Sequence, residues 1–95
     1  MGPTAEVVTD ARITEEQLLA IDALLSKFAS KIIRTRRGRV WTLWIGEHTI
    51  DVSASGPTCL ALAAGLNSPQ DYALLRDLGQ RLATRLGGIA SEPIK

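Results

Sequence analysis

One cysteine, one histidine and no glycine-rich loop leave this sequence short of the usual materials of catalysis and metal binding. Cys59 cannot close an internal disulfide, and a lone thiol suits a reducing compartment. His48 and Cys59 fall at different places on an expected sheet and do not compose a tetrahedral metal site. Cys59 lacks a second histidine to activate it, so it reads as a structural thiol in an apolar stretch. Glu47 and Asp51 project from different places on a turn and strand, with no cleft to pair them as acid and base. The segment GLNSPQD lacks the repeated glycines of a phosphate loop. Long apolar runs are missing too. Stretches such as CLALAAGL fall well short of the roughly 20 residues of a membrane span, and no basic, apolar leader is evident. These absences point to a cytoplasmic protein that is not an enzyme and takes no metal or cofactor.

What is present is a strong division of charge. The formal total is only +1, yet residues 1–22 carry five acids against one arginine, and residues 23–46 carry six bases and no acid. Five of those bases fall between Lys31 and Arg39, directly before VWTLWI, which holds both tryptophans. Local distribution rather than the sum governs electrostatic steering. A total so near neutral argues against a dedicated nucleic-acid binder.

Periodicity divides the chain into a helix, four strands and a second helix. Residues 1–12 lack a sustained period and read as a flexible lead-in, with a short extended stretch at Val7 and Val8. Thr14 and Gln17 have the spacing of a capping box, and Ile13 and Leu18 that of a hydrophobic staple. Leu18, Ile21, Leu25 and Phe28 then recur at helical spacing, with Leu24 widening the stripe. Alternation predicts strands at 31–36, 39–45, 48–54 and 58–64, separated by turn residues. A second helix is capped by Ser68, opens on Pro69 and buries Leu75, Leu78, Leu82 and Leu86 before Gly87-Gly88. Residues 89–95 read as a tail, leaving 13–88 as the single domain.

Turn chemistry makes these expectations specific. Gly46-Glu47 suits a two-residue type II′ turn, which pairs Ile45 with His48, Leu43 with Ile50 and Trp41 with Val52 on the core face. A turn at Arg37-Gly38 would place Ile32 opposite Leu43 and Arg34 opposite Trp41, but would set Arg36 against Arg39, a like-charge pair. A three-residue loop from Ser55 to Pro57 brings Leu60 and Leu62 inward, opposite Val52 and Ile50. The expected architecture is a two-layer α+β sandwich of order α-β-β-β-β-α, its antiparallel four-stranded sheet carrying both helices on one face.

That architecture leaves the other sheet face uncovered, with Ile33, Val40 and Trp44 among Thr35, Thr42, Thr49, Asp51 and Ser53. Trp44 there resembles the aromatic anchor of an interface. Alternatively, Val7 and Val8 fold over it, or two copies meet face to face as a homodimer. Arg34 is expected to lie over the buried Trp41 as a cation–π pair. The candidate partner-binding residues are Trp44, Arg34, Arg36, Arg37, Arg39, Val40 and Thr42. They suit a protein-binding module of an adaptor, chaperone or toxin-neutralising immunity kind that takes an acidic protein partner. The alternative is nucleic-acid or polyanion binding through the hairpin from Arg34 to Arg39, with phosphates on the arginines and a base stacked on tryptophan.

Overall fold

The computed structural model describes residues 2–95. In chain order these form β1 (Thr4–Thr9), α1 (Glu15–Phe28), β2 (Lys31–Thr35), a 3-10 turn at Arg36–Gly38, β3 (Val40–Ile45), β4 (His48–Gly56), β5 (Cys59–Ala64), α2 (Pro69–Leu86) and β6 (Gly88–Ala90). The strands make one antiparallel sheet of order β2-β3-β4-β5-β1-β6. The α+β layering is as expected, but the sheet has six strands rather than four. Residues 4–9 are no flexible lead-in, since β1 lies between β5 and β6 and buries Ala5, Val7 and Thr9. The tail also belongs to the sheet: Gly88–Ala90 pairs with β1, and Ile94 bridges to Thr4.

Both helices begin where the sequence marks them. Thr14 Oγ1 accepts from the Gln17 N–H at 3.2 Å, while Gln17 Oε1 accepts from the Thr14 N–H at 3.0 Å. Ser68 and Asp71 form the same reciprocal pair at the start of α2, with Pro69 in its first turn. Leu18, Ile21 and Leu25 from α1 join Leu75, Leu78, Leu82 and Leu86 from α2 in one core. Their counterparts on the sheet are Val7, Trp41, Leu43, Ile50, Val52, Leu60 and Leu62, all on one face. Gly87 ends α2 in the left-handed conformation, at φ 71°, and releases the chain directly into β6. A Cβ on Gly88 would lie 2.5 Å from the Val8 carbonyl oxygen, so this close strand approach requires glycine.

Two hairpins keep the expected register. Ile45 pairs with His48, Leu43 with Ile50 and Trp41 with Val52; likewise Ile32 pairs with Leu43 and Arg34 with Trp41. The latter hairpin's ladder ends at Thr35 opposite Val40, and within its 3-10 turn the Arg39 N–H donates to the Arg36 carbonyl at 3.2 Å. The third hairpin differs by two residues. Leu62, not Leu60, faces Val52, and Ala64 faces Ile50. Here a tight Gly56 to Cys59 turn is followed by a register shift between Ser53 and Gly56. One extra residue on β4 reverses the facing just as an odd loop would, so the leucines still turn inward. No helix among the described residues is long and apolar enough to cross a membrane.

Candidate interaction surface

The sheet face away from the helices is uncovered among the described residues. The cross-strand partners arrange it in rows. One runs Lys31, Trp44, Thr49; the next Ile33, Thr42, Asp51, Ala63, Thr4; the third Thr35, Val40, Ser53, Ala61, Glu6. Val8 and Ile89 pair beyond them and are 49% and 78% exposed, while Ile33 on β2 is 43% exposed. Trp44 is half-buried, with Lys31 Nζ 4.9 Å from its ring centroid. Thr42 Oγ1 donates to Asp51 Oδ1 at 2.8 Å. The N-terminal segment does not cover Trp44, because β1 is separated from β3 by β4 and β5 and Val7 points into the core.

Arg34 departs from its expected role. It does not stack on Trp41; its Nε donates to Asp22 Oδ2 at 2.5 Å, and its terminal nitrogen reaches Asp22 Oδ1 at 3.0 Å and Ser26 Oγ at 3.1 Å. The Trp41 indole N–H also donates to Asp22, at 3.0 Å. A carboxylate accepting from guanidinium and indole is a better partner for both than a ring face alone. The hydrogen bond from Arg34 holds the Asp22 carboxyl below its usual range; partial burial opposes this, and the Trp41 and Ser26 contacts reinforce it. Arg34 therefore ties β2 to α1 on the helix side. The pattern that reveals it is Asp22 and Ser26 four apart on α1, facing the residue that pairs with Trp41.

The other arginines cluster at the hairpin end. Arg36 and Arg37 are exposed at the turn, Arg39 is half-buried in a hollow beside Arg12, Glu15 and Pro57, and none of these arginines joins an ion pair among the described residues. Arg36 and Arg37 have φ of 53° and 57°, ahead of Gly38 at 79°. Left-handed backbone costs a residue with a Cβ roughly 1 kcal/mol, less for asparagine. Arg36→Asn or Arg37→Asn is accordingly expected to raise stability by about 0.5–1 kcal/mol, read as a higher urea midpoint at unchanged slope. An unchanged or lowered midpoint would show that the arginines are not strained there.

A second polar cluster joins His48 to the expected Ser68 cap. Asp71 is fully buried, accepts a short hydrogen bond from Ser68 Oγ, and lies 3.1 Å from His48 Nδ1. Burial pushes this carboxyl up, but the contacts from Ser68 and His48 outweigh it and hold the group below its usual range. The composition is that of a hydrolase triad, yet the arrangement is not. Serine and histidine both address the carboxylate rather than each other, as a buried helix cap requires. The sequence shows the Ser68–Asp71 spacing but nothing that brings His48 to it. No group of three or more metal-ligating side chains occurs among the described residues.

Compared with protein-family models, curated proteins and solved structures, the chain matches none.

Proposed function

We propose that this protein is a small, non-catalytic protein-binding module of the adaptor, chaperone or toxin-neutralising kind. It presents the outer sheet face around Trp44, Val40 and Thr42, together with the Arg36–Arg39 tip, to an acidic and partly apolar protein surface. The observation that carries this reading is the pair of arginines held in left-handed backbone next to an uncovered sheet face that exposes Ile33 and leaves Val40 and Trp44 half-buried among polar residues. Stability is given up to place charge where asparagine or glycine would fit better, and such strain concentrates at functional sites. Arg34 serves the fold rather than the partner. Glu6 and Asp51 on the same face repel phosphates and partner carboxylates alike, so the acidic groups of a partner fall to the turn and the sheet face takes its apolar part, while a nucleic acid would be left with the turn alone.

Affinity capture from cell lysate with the wild-type protein, Trp44→Ala and the double variant Arg36→Asn/Arg37→Asn tests the proposal. Acidic proteins should be retained by the wild type after nuclease treatment and lost with either variant, while both variants stay folded. Capture that is abolished by nuclease would move the function to nucleic acid. Capture undiminished in both variants would remove this surface from consideration.

A further inference from the structure

The two edges of the sheet are treated differently by the sequence. At the β6 edge the strand is only three residues long, Ser91 N–H donates onward to Glu6, and Ile94 exchanges backbone bonds with Thr4 across Pro93. Short strands and a nearby proline are ordinary protection against unwanted pairing. At the other edge β2 is five residues long, contains neither proline nor glycine, and exposes every residue except the half-buried Ile32.

The backbone of β2 is placed to accept another strand. The two-residue turn at Gly46-Glu47 fixes which β3 groups face β4, and alternation then directs Trp44, Thr42 and Val40 toward β2. Lys31, Ile33 and Thr35 are thus the hydrogen-bonded partners within the sheet. The N–H and C=O groups of Ile32 and Arg34 point away from it, with no other hydrogen-bond partner among the described residues.

Charge selects the occupant. Lys31, Arg34, Arg36 and Arg37 line this edge and its end, and the nearest acid, Asp22, is already engaged by Arg34. A second copy would bring two such rows together with no acid from β2 to offset them. Resting on the protein-binding reading above, we infer that the partner contributes an extended acidic segment that adds to β2 as a seventh strand. Its backbone pairs with Ile32 and Arg34, an apolar side chain sits beside Ile33, and its acids meet Lys31 and the arginine turn. Backbone pairing supplies affinity in such strand addition, and alternate side chains supply specificity.

The test uses an acetylated, amidated Glu-Thr-Val-Thr-Glu peptide, which sets valine beside Ile33 and glutamates beside Lys31 and the turn end, and the same peptide N-methylated at both threonines to remove the donors that face Ile32 and Arg34. Binding is followed by NMR, with amide exchange read at Ile32 and Arg34. The unmodified peptide should bind about tenfold more tightly, the worth of one or two net hydrogen bonds, and should slow exchange at both amides about tenfold. Equal binding of the two peptides with both amides unaffected overturns strand addition but leaves the charge-based reading of the turn standing. Failure of both peptides to bind removes the acidic partner itself, and with it both readings. Slow exchange at these amides that appears without peptide and grows with protein concentration would assign the edge to a second copy and overturn the inference.

Discussion

Trp41→Ala is expected to lower the unfolding free energy by about 3–5 kcal/mol, whereas Trp44→Ala, three residues away, should cost about 1 kcal/mol or less. Trp41 is completely buried, faces Val52 across the hairpin and donates its indole N–H to Asp22. Its truncation opens a large cavity beneath α1 and removes one of the bonds on a carboxylate that joins helix, edge strand and core. Small domains hold only about 5–15 kcal/mol in total, so the Trp41 variant should be marginal. Trp44 points the other way, is only half-buried, and loses mainly the covering Lys31 ammonium, a contact of about 0.5–1 kcal/mol on the solvent side of the sheet. Urea midpoints read by far-ultraviolet circular dichroism separate the two. Similar losses, or a larger loss at Trp44, would mean that the sheet faces are assigned the wrong way round and would take the proposed surface with them. Trp41→Phe refines the test: it retains much of the packing, loses the bond to Asp22 and should fall between the two alanine variants.

The contrast between the tryptophans was legible because the Gly46-Glu47 turn fixes pairing one residue at a time, and a period of two then sends neighbours to opposite faces. The helix starts were legible for a similar reason, since a capping box is a local device whose partners lie three residues apart. What sequence pattern missed is non-local or weak in hydropathy. In β1 the inward residues are Ala5, Val7 and Thr9, only one of them a large apolar side chain, so the alternation barely registers. In β6 the sole large side chain, Ile89, points outward, and Gly88 earns its place through closeness to Val8 rather than through propensity. The bulge in β4 left facing readable and register not. Strand pairing is enough to give Arg34 its cross-strand neighbour, Trp41, but its partner Asp22 comes from a helix whose rotation over the sheet no hairpin rule determines. Thus the outer-face part of the candidate surface, Val40, Thr42 and Trp44, followed from strand pairing, while separating Arg34 from the turn arginines required tertiary contacts.

Asp71→Asn is expected to cost about 2–4 kcal/mol at neutral pH, combining a weakened reciprocal capping pair with Ser68 and loss of charge-assisted bonds from Ser68 and His48. Asparagine keeps the shape but offers one acceptor oxygen where the carboxylate offers two, and its amide N–H₂ would be turned toward a donor in a fully buried place. The pH dependence follows from the direction of the shift. Asp71 lies below its usual 3.8 when folded, so the unfolded chain binds the proton more readily. Its contribution is therefore complete above about pH 5, where the unfolded carboxyl is ionised, and is lost as pH falls through the lowered folded value. Asp22 is shifted in the same direction by Arg34, and the two carboxylates anchor opposite parts of the fold: Asp71 the start of α2, Asp22 the joint between α1 and edge strand β2. Urea midpoints measured from neutral pH to pH 2 should fall below about pH 4 in the wild type. The fall should be shallower in Asp71→Asn and in Asp22→Asn, because each variant removes one group that must take up a proton on unfolding. An acid limb as steep in Asp71→Asn as in the wild type would mean that this buried carboxylate is not held ionised by Ser68 and His48, and that the start of α2 rests on packing alone.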